Sequence, residues 1–333
     1  MVPFLCVGGQ ANGRRKPSAV GPGEIRRADV VGRAGPPTRN CVSNEPRCKC
    51  EGNRMISVVI PTCRRPELLA RCLDRLAPGV QSLSADQYEV IVTDDGVPTV
   101  EQLVADKYPW AKWVAGPRRG PASNRNNGVR HARGEWIAFT DDDCVPDLGW
   151  LAGFAGAIHD GCQVYEGKTT CVAGINSPLE HAPGNATGGY LWSCNMMVRA
   201  DLFRKLGGFD ENFPSAHMED VDFRDRLVAA GDLFEFVPLA IVDHPPRRMP
   251  SGWRLGRSHE AWLYWWYKNR RRQLASPRLL SELVRLRLNH VRRCKLSPHS
   301  VRALGSLVAE VGTLLFYLPF WERKYRFRFL QHT

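Results

Sequence analysis

Between residues 56 and 140 the hydrophobic period of the chain changes repeatedly, and few architectures accommodate that pattern. Ile56-Ser57-Val58-Val59-Ile60 is a short β-branched run closed by Pro61-Thr62, the pattern of a strand buried on both faces. Pro66 follows where a first helical turn tolerates proline, and Leu68, Leu69, Cys72, Leu73 and Leu76 then share one face. The alternation recurs. Tyr88-Glu89-Val90-Ile91-Val92 enters Thr93-Asp94-Asp95-Gly96; a helix is expected near 100–107, a brief strand at 112–115, a helix at about 122–132 and a strand at 135–140. Segments of these lengths in this order predict an α/β domain, a mainly parallel sheet flanked by helices, with ligands at the carboxyl ends of the strands. Both Asp-rich motifs fall at such ends.

Beyond Pro146 a helix is expected over 148–159, a strand over 163–168 and a Gly/Pro/Asn-rich loop over 174–189. A strand over 190–198, a short helix over 201–206 closed by Gly207-Gly208, and a strand over 236–242 complete the domain.

The chain is 43% hydrophobic and 24% charged over 333 residues, which excludes wholesale disorder and a polytopic membrane protein. Its net charge of +12 points to nucleic acid, an anionic membrane or an anionic substrate, and the distribution separates these. Residues 1–54 hold 10 Lys and Arg against 4 Asp and Glu, residues 247–333 hold 19 against 4, and residues 55–246 hold 17 against 26. The ends are basic and the middle is acidic. With 14 Gly and Pro and no sustained apolar period, residues 1–54 read as a disordered leader, and Met55 is a candidate for the true start. The 11 cysteines lack paired spacing, which predicts free thiols in a reducing compartment; Cys41, Cys48 and Cys50 lack the partner residues of a zinc site.

Asp141-Asp142-Asp143 directly follows Trp136-Ile137-Ala138-Phe139-Thr140. Three consecutive carboxylates repel one another, and a divalent cation with hard oxygen ligands relieves that repulsion; a solvated acidic turn is the plainer alternative. The companions of this triplet favour the cation. They are Asp94-Asp95-Gly96 at another strand end, the Gly120-Pro121-Ala122 turn with Arg125 and Asn126 on the next helix, and Glu219-Asp220 in His217-Met218-Glu219-Asp220-Val221-Asp222-Phe223.

With these motifs, over roughly residues 55–246, the sequence resembles glycosyltransferase family 2 enzymes of the GT-A fold. The signatures run in order: Val58 to Arg65, Val92 to Gly96, Gly120-Pro121-Ala122 with Arg125-Asn126, Ala132 to Phe139 leading into Asp141 to Asp143, Gly207 to Glu211, and Glu219-Asp220. The resemblance implies a nucleotide-sugar across the carboxyl edge of the sheet. It implies that Thr62, Arg64 and Asp94 or Asp95 contact base and ribose, that Arg125 helps hold the nucleotide, and that Asp141 faces the ribose. Asp143 would bind a divalent metal, Mn2+ or Mg2+, that stabilises the leaving diphosphate. Asp220 would be the general base for an inverting displacement by an acceptor hydroxyl; as a first-turn acid it also suits a helix N-terminus. His244, after an apolar run, is a further candidate metal ligand beside a structural role, and His217 is a weaker one. The sequence departs from the family at Val97, where a small hydroxyl residue is common, and at Cys63, where an aromatic is, so uridine, guanosine and thymidine diphosphate donors all stay open.

The expected function is sugar transfer to a lipid-linked or saccharide acceptor, in glycolipid or cell-surface polysaccharide synthesis. A metal-dependent nucleotidyltransferase and a non-catalytic nucleotide-sugar binding or scaffolding protein are the alternatives. In the basic arm, 247–333, Trp262, Tyr264, Trp265, Trp266 and Tyr267 precede Lys268-Asn269-Arg270-Arg271-Arg272. Leu304, Leu307, Val308, Val311, Leu314, Leu315 and Leu318 then recur at helical spacing. This reads as a helical extension in peripheral contact with the cytoplasmic face of the cell membrane, with packing against the catalytic domain as the alternative. Spanning is not expected, because Gly305, Glu310, Gly312 and Pro319 interrupt the stretch from Ala303 to Trp321. No nucleic-acid-binding module is recognisable, so no nucleic-acid partner is expected.

Overall fold

A computed structural model of the protein describes residues 55–270, 276–293 and 298–330, together with Arg39–Asn40. The first elements among the described residues are two strands of the main sheet, β1 (Arg39–Asn40) and then β2 (Ile56–Thr62), followed by α1 (Pro66–Leu76), β3 (Tyr88–Asp94), α2 (Glu101–Lys107), β4 (Lys112–Ala115), α3 (Pro121–Arg130) and β5 (Trp136–Thr140). Next come β6 (Val145–Pro146), α4 (Trp150–Ala157), β7 (Val164–Thr170), β8 (Glu180–His181), β9 (Asn195–Arg199), α5 (Ala200–Lys205), α6 (Glu219–Ala229), β10 (Glu235–Asp243) and β11 (Arg247–Arg248). Four helices close the chain: α7 (Gly252–Ser258), α8 (Glu260–Arg270), α9 (Ser276–Arg293) and α10 (Pro298–Leu330). Apart from β1, residues 1–54 lie outside the described residues, and the expectations for the leader and the Cys41, Cys48, Cys50 group fall there.

The main sheet runs β1-β10-β7-β9-β5-β2-β3-β4, with β6 on β10. The pairs of β2 with β3 and β5, of β3 with β4, and of β7 with β10 are parallel, whereas β9 is antiparallel to both β5 and β7. Strand alternation divides the core. Val58, Ile60 and Ala138 face α1, α2 and α4, while Val59, Ile137 and Phe139 face α3, α5 and α6. Register then fixes the site: Thr62 pairs with Asp94 and Thr140 with Asn195, so the ends of β2, β3 and β5 and the start of β9 share one edge.

Local chemistry explains the boundaries. Pro66 and Pro121 occupy first helical turns, where a missing N–H loses nothing, and Gly120 supplies the φ of 93° that turns the chain into α3. α3 lies close on β2 because Gly128 has no side chain; a Cβ there would overlap Val59. The strand expected over 190–198 begins only at Asn195. Buried Glu166 gathers the backbone N–H groups of Gly189, Tyr190 and Leu191, and Leu191 stands at φ 52°, which holds this segment out of the ladder.

The arm builds a third core. Trp262, Tyr264, Trp265, Trp266 and Tyr267 are buried with Leu314, Leu318, Trp321 and Tyr325 against Met218 and Val221. α10 runs without a break through Gly305, Gly312 and Pro319. Glu310 points inward, where Arg287 donates to it at 2.8 and 2.9 Å and His259 Nε2 lies 2.8 Å away.

Candidate active site

The carboxyl edge opens into a cavity of about 810 Å³. Thr62, Arg64, Asp95, Arg125, Asp141, Asp220 and His244 stand on its wall; Asp94 and Asp143 do not. Asp94 is turned into its own loop, where it accepts the backbone N–H groups of Gly96 and Val100, both at 2.7 Å. Asp95 faces the cavity and accepts the N–H groups of Arg118 and Gly120 at 2.8 and 3.2 Å, so it also braces the entry to α3; burial raises its carboxyl above the usual range.

The triplet after β5 divides its work. Asp142 accepts the Thr62 hydroxyl at 2.8 Å and Arg65 Nη1 at 2.9 Å; burial nevertheless pushes its carboxyl up to about 6. Thr62 is therefore occupied with Asp142. Asp141 accepts Arg125 Nη2 at 2.5 Å, and although burial opposes it, Arg125 holds this carboxyl below its ordinary value. Asp143 Oδ2 accepts Arg65 Nη1 at 3.2 Å and Arg247 Nη1 at 2.9 Å.

Arg125 joins the two halves of the site. Its guanidinium is buried against Phe209, and its second nitrogen donates to Glu219 Oε1 at 3.0 Å. Glu219 and Asp220 open α6 after Met218, whose φ of 74° is a left-handed conformation costly for a methionine. Burial, against the pull of Arg125, pushes the Glu219 carboxyl up to about 7, and it raises Asp220 as well. The shared cation explains this difference from Asp141. Arg125 sits closest to Asp141, and the adjacent Asp220 charge works against ionisation of Glu219.

Asp143 Oδ1 and His244 Nε2 are buried, 3.4 Å apart, and neither has a hydrogen-bond partner. His244 Nδ1 lies 3.0 Å from the Pro245 carbonyl, which only accepts, so Nδ1 carries the proton and Nε2 turns a lone pair toward Asp143. Two facing acceptors suit a divalent cation between them. Cys144 Sγ belongs to the same group within 4.8 Å, and burial and the neighbouring Cys194 thiol raise it well above its ordinary value. His217 is held neutral by burial, down to about 3.

Sequence reasoning gave no role to Arg65, Arg247 or His181, all on the cavity wall. Arg65 carried a local signal, one residue beyond Arg64. Arg247 carried none, because its partner Asp143 is 104 residues away.

A curled, mostly parallel sheet with nucleotide-scale cavity, carboxylates and arginines at its carboxyl edge is the GT-A class of fold. Residues 57–207, a little under half of the chain, match the profile of glycosyl transferase family 2. It is similar to the pre-mycofactocin glycosyltransferase of Mycobacterium tuberculosis, 29% identical over 221 residues that cover 60% of this chain and 45% of that protein. It is also similar to glycosyltransferase AglE of Haloferax volcanii, 24% identical over 215 residues, 58% of this chain and 67% of that one. The chain thus spans about half the length of the mycobacterial relative. Among solved structures, residues 1–349 of S. aureus TarS in complex with UDP-GlcNAc superpose with a TM-score of 0.50 at 20% identity, over 82% of this chain and 89% of that chain, a likeness of fold.

Proposed function

We propose that this chain is a metal-dependent, inverting glycosyltransferase in which residues 55–246 form the catalytic unit and residues 247–333 an arm that sets where it works. The donor is a nucleotide-sugar, and the acceptor is a lipid-linked or saccharide hydroxyl at the cytoplasmic face of the cell membrane. One observation carries the reading: Arg125 ties Asp141, on the donor edge, to Glu219, next to Asp220, inside a single cavity.

In this mechanism Asp220 takes the proton of the acceptor hydroxyl while its oxygen bonds to the anomeric carbon. The bond to the nucleoside diphosphate breaks on the opposite face, and the electron pair leaves with the diphosphate. Asp143 and His244 would hold a Mn2+ or Mg2+ ion, which supplies Lewis-acid stabilisation of that leaving charge. Burial raises the Asp220 carboxyl and makes it a better proton acceptor than an exposed aspartate. Arg64, Arg65 and Arg247 surround the place where the diphosphate would lie. Asp95 is the candidate for the nucleoside, since Asp94 is engaged by its own loop.

The test is Asp220→Asn. Turnover of UDP-, GDP- and dTDP-sugars in Mn2+ or Mg2+ should fall by about 100-fold or more, with donor affinity kept. A nucleotidyltransferase would release diphosphate from a nucleoside triphosphate instead, and a binding protein would bind donor without turnover before and after the substitution. Failure of every nucleotide-sugar to bind with either metal would end the proposal.

A further inference from the structure

The apolar stripe of α10 is two faces, and only one is used by the fold. Ala303, Leu314, Leu318, Trp321 and Tyr325 are buried on the inner side. On the outer side Val301, Leu304, Val308, Leu315, Phe316 and Phe320 are exposed, Val308 by 73% and both phenylalanines by 65%. Gly305, Ala309, Gly312 and Pro319 fill the intervening exposed positions. From 301 to 320 this face is apolar except for Arg302, a length of about 30 Å at the helical rise. Beyond it the exposed positions turn basic, with Arg323, Lys324, Arg326 and Arg328 around Phe327. Helix α7 lies against α10, where Gly252 meets Ser306 and Gly256 meets Thr313, and it exposes Trp253, Arg254 and Arg257.

We infer that this outer face of α10, with Trp253, is a docking surface for an anionic lipid bilayer. A contiguous apolar patch of this length is unusual on a soluble monomer. Its rim decides the partner: the exposed positions of α7 and α10 carry Arg and Lys and no carboxylate. Two copies meeting through this face would set cation against cation, whereas acidic lipid headgroups complement it. The helix lies in the interface plane. His299–Phe329 is long and apolar enough to cross a membrane by length and composition. Crossing would strip Glu310 from Arg287 and His259 and pull the packed inner face out of its core.

Docking rests on the peripheral location proposed above and not on the transfer chemistry, so it is tested without donor or metal. The full chain is sedimented with vesicles of phosphatidylcholine containing about one-third phosphatidylglycerol and with phosphatidylcholine alone. It should pellet with the anionic vesicles and more weakly with the neutral ones. The paired substitutions Phe316→Glu and Phe320→Glu should weaken partitioning about tenfold or more with thermal unfolding unchanged. Arg323→Gln with Arg326→Gln should remove most of the preference for anionic lipid. Absence of pelleting by the unaltered chain, or full pelleting of the Phe316→Glu, Phe320→Glu variant, overturns docking. So does a lipid-free dimer that the same two substitutions dissociate, which would make the face a contact between copies.

Discussion

Arg125 shows how much a single buried charge decides here. It is the only cation that touches both Asp141 and Glu219 among the described residues, so Arg125→Ala should destabilise the fold by about 3–5 kcal/mol, measured by urea unfolding, because two carboxylates lose their partner at once. Glu219 makes a separate prediction about pH. Its carboxyl is raised to about 7 in the folded chain, so the folded state holds more protons than the unfolded state between the ordinary glutamate range and neutrality. This contribution to stability is full at acidic pH and is lost as pH rises toward and through about 7. The urea midpoint should decline over that window, and Glu219→Gln should flatten the decline. At this scale the sequence exposed the groups whose neighbours in the chain announce them, such as Asp141 to Asp143 after an apolar run and Glu219-Asp220 in an acidic first turn. It could not show that Thr62 is spent on Asp142, that Asp94 serves its own loop, or that Arg247 reaches Asp143, since those contacts span 80, 6 and 104 residues and depend on side-chain direction.

Among the elements, the parallel block β2, β3, β4 and β5 with its helices followed the changes of hydrophobic period closely, because β2, β3 and β5 are buried on both faces and each helix on one. Strand β9 did not. Its direction is set by which strands it enters between, and the apolar run from Tyr190 gives no sign that Glu166 keeps its first residues in a loop. The contact of α3 with β2 belongs to this scale too. Gly128→Val places a branched side chain against Val59 and should lower stability by about 1–3 kcal/mol, with a matching drop in thermal midpoint and no new secondary structure by circular dichroism. The stripe on α10 was legible as periodicity, yet the same periodicity serves an inner and an outer face, and only the packed structure separates them.

Over the whole molecule, the +12 charge belongs to the margins, and the arm couples its part of it to the acidic centre. Lys268 of α8 lies 2.6 Å from Asp210 and 2.8 Å from Asp222, so Lys268→Met should cost about 3 kcal/mol in urea unfolding by leaving both carboxylates short of a partner. The reversal of β9 has a consequence at this scale. Because β7 leaves the sheet and β9 enters it at the same edge, in adjacent positions, residues 171–194 form a closed excursion whose two ends are pinned by neighbouring ladders. Such an excursion is a cassette. It brings His181, Trp192 and Ser193 to the cavity, and a segment of different length or chemistry grafted between the same anchors would change that part of the cavity wall while the strands of the main sheet kept their register. In a scaffold of this kind the cavity can be reshaped at one doorway without disturbing the sheet that carries the rest of it.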